Sequence, residues 1–125
     1  MALVTSSSKE SFQIKTTQHK WMNLFSVIVL GDDKLLAKGK PAPDPYLLAA
    51  KKLNIPPQEC WAVEDSIAGV SSALEAGCYV FFLKEENDEL KKNKFFEQDN
   101  HLREIKQLVE IEQILNEYQI NKACL

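Results

Sequence analysis

The stretch from 61 to 70 constrains the chain most, because an apolar run ends there in two adjacent carboxylates, Glu64 and Asp65, followed by a helical pattern with an early glycine, Gly69. Acids at the carboxyl end of a buried strand lie where open α/β sheets bind ligands. Side chains alternate along a strand, so Glu64 and Asp65 cannot both point into the sheet packing. One or both must face the crevice, where paired acids suit a hard cation such as Mg²⁺. The alternative interpretation is that Asp65 or Ser66 only caps the helix.

Short apolar runs alternate with amphipathic stretches, which predicts an α/β fold with a mostly parallel sheet covered by helices. The predicted strands are 1–5, 26–30, 60–63 and 78–83. Three helices are predicted between them: one from Ser7, which has capping-box spacing to Glu10, one from the N-cap Asp44 and Pro45 to Asn54, and one from 67 to a cap at Gly77.

The C-terminal part of the chain has a different pattern. Apolar residues from 102 to 118 recur at helical spacing, which predicts a single helix packed on the sheet. The polar segment 84–100 before it is expected to be a loop with frayed helix.

Composition limits the class of protein. A chain of 125 residues with a net charge of −3 is expected to form one domain, 1–125, and no basic block favours nucleic acid or a membrane as partner. No apolar run approaches the ~20 residues of a membrane span. The three cysteines, Cys60, Cys78 and Cys124, lack metal-binding spacing, so free thiols in the reducing cytoplasm are expected.

Polar residues suited to binding a phosphate follow three of the predicted strands. Thr5 and Ser6 end the first, Lys40 lies in the loop after the second, and Glu64 and Asp65 end the third. The ends of parallel strands open on one edge, so a hydroxyl at a helix N-terminus, an ammonium and a metal-binding acid would meet there. Taken singly, serines before a helix are usually helix caps and a loop lysine is usually solvated, so the prediction depends on their combination.

In this order and spacing the motifs resemble those of the haloacid dehalogenase (HAD) superfamily of phosphohydrolases, in the branch with a helical cap that includes beta-phosphoglucomutase-like enzymes. The segments similar to the second, third and fourth family motifs are Val4-Thr5-Ser6-Ser7, Gly39-Lys40-Pro41-Ala42-Pro43-Asp44 and Val63-Glu64-Asp65-Ser66. Within the branch, the chain most resembles the pseudouridine-5′-phosphatases, through Ser11-Phe12, Lys15-Thr16, His19-Lys20, Leu24-Phe25-Ser26 and the run from Ile28 to Asp33.

The resemblance implies a Rossmann-like three-layer core and a Mg²⁺-dependent hydrolase of small phosphomonoesters, such as nucleotide or sugar phosphates. Thr5 would donate a hydrogen bond to the transferring phosphoryl group, helped by the amide of Ser6. Lys40 would balance charge between the phosphate and the nucleophile. Asp65 would bind Mg²⁺, with Glu64 beside it as direct or water-mediated support.

The chain departs from the family pattern in its first motif, an aspartate pair that supplies the nucleophile and the general acid and base. No two aspartates of the sequence are two positions apart, so this motif is absent. The helical cap that selects the substrate is absent as well. We therefore expect a truncated, incomplete core with negligible phosphatase activity of its own.

In the family, the strand that carries the first motif lies between the strands ending at Thr5 and Asp65. Without it, both strands have an unpaired inner edge. The expected outcomes are direct re-pairing, a homodimer or complementing chain that supplies the strand, or marginal stability. Two other interpretations of the whole chain are a non-catalytic phosphate- and metal-binding or regulatory module, and an unrelated doubly wound domain such as a receiver or nucleotide binder. The second is disfavoured because the sequence has no glycine-rich phosphate loop.

Overall fold

The computed structural model of the chain describes residues 1–84 and 99–123. Most of the polar segment expected to be a loop, and Cys124, lie outside the described residues. The strands and helices are, in chain order, β1 (Ala2–Val4), α1 (Lys9–Thr16), β2 (Val27–Val29), α2 (Asp44–Leu53), β3 (Trp61–Glu64), α3 (Ile67–Ala76), β4 (Tyr79–Leu83), β5 (Leu102–Ile105) and α4 (Val109–Ala123). Short 3₁₀ helices occupy Lys20–Leu24 and Pro57–Glu59.

The strands of the described residues pair only in parallel, and they form two separate sheets. β1 pairs with β2, with Val4 opposite Val29. β4 lies between β3 and β5, and Glu64 at the end of β3 is opposite Phe82. The predicted α/β fold with parallel strands is therefore confirmed. In the described part of the chain β1 and β3 are not hydrogen-bonded to each other, so direct re-pairing of these strands is not the outcome.

The N-termini of two helices differ from the prediction by one residue. Ser8, not Ser7, is the N-cap of α1, and its Oγ accepts a backbone N–H of the first turn at 3.3 Å. Ser7 is engaged elsewhere, because its carbonyl accepts the amide of Gly31 at 2.9 Å. Asp44 is the first residue of α2 rather than its N-cap, which is Pro43.

The C-terminal ends of α2 and α3 are those predicted. Asn54 and Gly77 have left-handed backbone conformations, with φ of 57° and 96°, which end the helices and turn their amides back onto the last carbonyls. α3 begins after Ser66, whose Oγ accepts the amide of Gly69 at 3.1 Å. Ser66 is therefore the cap, and Asp65 is not.

The prediction of one helix from 102 onward is wrong, because Leu102–Ile105 form β5 and α4 begins only at Val109. β5 extends the sheet, and the amide of Lys84 donates to the carbonyl of Ile105 at 3.0 Å. Leu102 and Ile105 are three positions apart, a spacing that suits one face of a helix. It also suits a short strand whose last side chain enters the core, and Ile105 is only 1% exposed.

The main core lies between the three-stranded sheet and α3. Its buried members are Ala62, Val70, Ala73, Ala76, Cys78, Val80 and Phe82. The alternate residues of β3 and β4 point to the other face, where the ring of Trp61 lies 5.1 Å from that of Phe81 and 5.9 Å from that of Tyr118 in α4. The C-terminal helix thus contacts this face through Tyr118, as predicted, but leaves it partly open, since Trp61 and Val63 remain 38% and 43% exposed.

The two cysteines within the described residues, Cys60 and Cys78, are free thiols, as expected. Burial, with a smaller contribution from Cys60, raises the pKa of Cys78 to about 11. A thiol with that pKa is protonated at neutral pH, so Cys78 serves the core rather than nucleophilic chemistry. Among the described residues, no helix has both the length and the apolar character needed to cross a membrane.

Replacing Ile105 by alanine is expected to lower the free energy of unfolding by about 2–5 kcal/mol, because it removes a buried branched side chain that anchors β5. The matched control is Ile14→Ala in α1, where the side chain is 75% exposed and the change should stay within about 0.5 kcal/mol. Urea denaturation followed by circular dichroism measures both. Equal effects of the two substitutions would contradict the placement of Ile105 in the core.

Candidate functional site

A pocket of about 450 Å³ opens where the carboxyl ends of β1 and β3 face each other. All five residues predicted to form the site, Thr5, Ser6, Lys40, Glu64 and Asp65, line it. The other lining residues are Val4, Val63, Ser66, Ala68 and Leu83. These residues come from distant segments of the chain, so the parallel arrangement of the strands brings them together.

The loop after β1 is held in place by β2 and by Gly31, two residues after β2. The amide of Thr5 donates to the carbonyl of Val29 at 3.0 Å, and Thr5 Oγ1 accepts the amide of Ser7 at 3.1 Å. Gly31 packs against the backbone of Ser6 so closely that a Cβ there would overlap the Ser6 carbonyl. Accepting one hydrogen bond leaves the O–H of Thr5 as a donor on the wall of the pocket.

Lys40 reaches across the pocket from the loop between β2 and α2. Its Nζ donates to the carbonyl of Val4 at 3.2 Å and forms an ion pair with Glu64. The loop itself is attached to α3, because Ser72 Oγ donates to the carbonyl of Ala42 at 2.6 Å. The ammonium is thus fixed between the ends of β1 and β3, and is not a solvated loop charge.

The two adjacent acids point in different directions. Glu64 is the last residue of β3, is 7% exposed, and its Oε1 accepts hydrogen bonds from Lys40 Nζ and Tyr46 Oη. Asp65 follows the strand and is exposed on the pocket wall. The geometry therefore disfavours direct support of a metal by Glu64, because the oxygen that faces Lys40 is already occupied. Metal binding by Asp65, with water-mediated support from Glu64, stays a prediction.

Sequence reasoning missed Tyr46 and Gly69 as parts of the site. Tyr46 lies in the first turn of α2, where its spacing indicates only a core position. Burial, and then the nearby Glu64 carboxylate, raise its pKa well above the usual value, so its hydroxyl remains a donor. Gly69 lies against the other side of the Glu64 carboxylate, with no room for a Cβ. Of these two residues, only Gly69 leaves a signal in the sequence, because a glycine in the first turn of a helix is unusual.

The pocket offers Asp65 as its candidate ligand for Mg²⁺. Within the described residues, no three His, Cys, Asp or Glu side chains lie close enough together to hold a metal ion. Mg²⁺ is, however, commonly held by one or two carboxylates together with water and substrate phosphate. The outward carboxylate of Asp65 fits that mode of binding, in which the protein supplies only part of the ligand set.

The aspartates of the Gly31-Asp32-Asp33 turn have structural partners. The carboxylate of Asp32 accepts the amide of Lys9 at 3.0 Å, at the N-terminus of α1. Asp33 accepts the amide of Leu35 at 3.0 Å and pairs with Lys52 of α2 at 3.0 Å, and these two donors lower its pKa. Neither aspartate lines the pocket.

Residues 1–83 match the family model of the haloacid dehalogenase-like hydrolases. The chain belongs to this family. The matched residues run from β1 to β4 and include every residue that lines the pocket. The superfamily expected from the three motifs is therefore confirmed.

Among its relatives, a probable pseudouridine-5′-phosphatase of Saccharomyces cerevisiae is 44% identical over 92 residues, 66% of this chain and 39% of the relative. Hexitol phosphatase A of Escherichia coli is 44% identical over 79 residues, 63% of this chain and 35% of the relative. The crystal structure of a HAD phosphatase from Thermococcus onnurineus has a TM-score of 0.73 and 25% identity, covering 91% of this chain and 49% of that one. The chain thus spans less than half the length of the phosphatases it matches.

Replacing Gly69 by alanine is expected to destabilise the chain by about 1–3 kcal/mol, since the new methyl group would displace a carboxylate held by Lys40 and Tyr46. This loss should outweigh the gain of about 1 kcal/mol in helix propensity. The control is Gly39→Ala, where a Cβ would meet nothing within 4 Å. Thermal unfolding of both variants measures the difference, and a Gly69→Ala chain more stable than the parent would contradict this packing.

Proposed function

We propose that the pocket binds the phosphoryl group of a small phosphomonoester, such as a nucleotide or sugar phosphate, together with Mg²⁺. In this proposal the chain is the phosphate-binding part of a HAD-type phosphomonoester hydrolase. The observation that supports it is that a hydroxyl, an ammonium and an outward carboxylate, from Thr5, Lys40 and Asp65, line one pocket of about 450 Å³. The phosphatase names of the relatives support the same reaction class.

Each proposed role follows from the donors at hand. Thr5 donates its O–H to a phosphoryl oxygen, and the amide of Ser6, on the same loop, adds a second donor. Lys40 has three N–H donors, of which Val4 and Glu64 use two. The third is available to an anion in the pocket.

The charge of the pocket makes a cation necessary. Its lining carries one ammonium, Lys40, and two carboxylates, Glu64 and Asp65, for a net formal charge of −1. A phosphate dianion would be repelled by this lining unless a cation accompanied it. Asp65 would hold Mg²⁺, which when bound neutralises charge on the phosphoryl oxygens.

A second candidate function is a non-catalytic phosphate- and metal-binding or regulatory module. It is favoured by the sequence, which contains no Asp-x-Asp pair. The carboxylates that line the pocket are Glu64 and Asp65, and the first is neutralised by Lys40. The two functions differ in whether a different polypeptide brings a nucleophile to the pocket by adding a strand between β1 and β3, because a second copy of this sequence has no Asp-x-Asp pair to supply.

The first test is the binding of inorganic phosphate to the full chain, measured by calorimetry with and without Mg²⁺. We expect binding only with Mg²⁺, and a loss of about ten- to a hundredfold in affinity for Thr5→Val and Lys40→Ala, since each removes a donor to a charged group. Lys38→Ala, on an exposed lysine of the same loop, is the control. Lys40→Ala also removes the ion-pair partner of the buried Glu64 and could unfold the chain. If the Lys40→Ala chain does not fold, the Thr5→Val result is the deciding one. No binding at millimolar phosphate and Mg²⁺ would refute the proposal.

The second test is phosphate release from p-nitrophenyl phosphate or pseudouridine monophosphate in the presence of Mg²⁺. The chain alone is expected to show negligible turnover, because the sequence has no aspartate pair to supply the nucleophile. Adding a polypeptide with an apolar strand that ends in Asp-x-Asp should produce turnover if a complementing chain completes the site. Robust turnover by the chain alone that falls in Asp65→Ala would show that the expectation of inactivity is wrong.

A further inference from the structure

Glu64 is a buried carboxylate with partners on two sides. Its side chain is 6% exposed, and one oxygen, Oε1, accepts hydrogen bonds from both Lys40 and Tyr46. The backbone of Gly69 closes off the other side of the carboxylate. A buried carboxylate must be paired to avoid a large desolvation penalty. The hydrogen bond that Tyr46 gives to Glu64 therefore affects how many N–H groups of Lys40 the carboxylate engages.

Tyr46 contacts both members of the ion pair. Its hydroxyl donates to Glu64, while its ring centroid lies 5.4 Å from Lys40 Nζ, within the range of a cation–π contact. The tyrosine is partly buried against the core between the sheet and α3, and it belongs to α2. One side chain from a packed helix therefore touches the carboxylate through its hydroxyl and the ammonium through its ring.

The hydrogen bond from Tyr46 to Glu64 matters for the pocket because Lys40 has only three N–H donors. In the described part of the chain, Lys40 Nζ has Val4 and Glu64 as acceptors, which leaves one N–H for the pocket. The hydroxyl of Tyr46 satisfies part of the hydrogen-bonding capacity of Glu64. Without it, the carboxylate would draw the remaining N–H of the ammonium toward itself and away from the pocket.

We propose that Tyr46 is a positioning residue, which acts through Glu64 to keep one N–H of the Lys40 ammonium directed into the pocket. This inference rests on the proposed function as far as the anion is concerned. The geometry of the three side chains is independent of it. Tyr46 itself does not line the pocket, so it acts on a bound phosphate only through its two neighbours.

The test variant is Tyr46→Phe, which keeps the ring and removes the hydroxyl. We expect the affinity of the full chain for inorganic phosphate, with Mg²⁺, to fall roughly tenfold, the lower end of the range for groups that orient the ligands of a charged site. The matched control is Tyr79→Phe, on a tyrosine that packs against Trp61, Phe81 and His101 and lies outside the pocket lining. Its affinity should be that of the parent chain.

A double-mutant cycle separates positioning from a merely structural role. If Tyr46 acts through Glu64, Tyr46→Phe should have no further effect on phosphate affinity in a Glu64→Gln background. A folded Tyr46→Phe chain that binds phosphate as the parent does would overturn the proposal. So would an equal loss in both backgrounds, because the tyrosine would then act independently of the carboxylate.

A readout without ligand distinguishes failure of this inference from failure of the proposed function. The ¹⁵N chemical shift of Lys40 Nζ in the ligand-free chain should change in Tyr46→Phe and not in Tyr79→Phe. If the parent chain binds no phosphate, the proposed function fails, while this shift still decides whether Tyr46 controls the ammonium. An unchanged Lys40 signal in the folded Tyr46→Phe chain would overturn the inference in either case.

Discussion

The ion pair between Lys40 and Glu64 is the interaction on which the rest of the structure depends, because it links two sheets that share no backbone hydrogen bond in the described residues. Lys40 contacts Val4 at the end of β1 and Glu64 at the end of β3. The paired side chains are 10% and 6% exposed, so both charges have lost most of their water. Desolvation offsets much of the attraction between them, and removing one partner of such a pair costs about 3–5 kcal/mol. The pair therefore fixes the relative position of the two sheet ends more than it adds to net stability.

Helix α2 is the second link between the sheets. It packs against β1 and β2 on one side and against α3 on the other. Lys52 of α2 also pairs with Asp33, just after β2, at 3.0 Å. The loop before α2 is attached to α3 through Ser72 and Ala42. The pocket consequently lies at a boundary held by one helix, one loop and one ion pair, which explains why donors from β1, β3 and the loop all meet there.

The elements between 1 and 83 are predictable because several local signals agree: apolar runs of strand length are separated by helices that end at Asn54 and Gly77. The convergence of the five site residues also follows from sequence, since it needs only the parallel order of the strands. β5 is not predictable in this way, because the spacing of its apolar residues suits a helix as well as a strand. The contact of Tyr46 with Glu64 joins residues 18 positions apart on different elements, so no local pattern reveals it.

The direction of Glu64 depends on packing that lies away from the pocket. Ala62 and Glu64 point to the same buried side of β3, and pairing with β4 places Glu64 opposite Phe82, which is 1% exposed. A slip of one residue would exchange the acids, because side chains alternate along a strand. Asp65, with a side chain one methylene shorter, would then have to reach Lys40, and Glu64 would face the pocket. Burial of Phe82 and Ala62 opposes that slip, so the hydrophobic core determines which of the two carboxylates neutralises the ammonium and which remains for a cation.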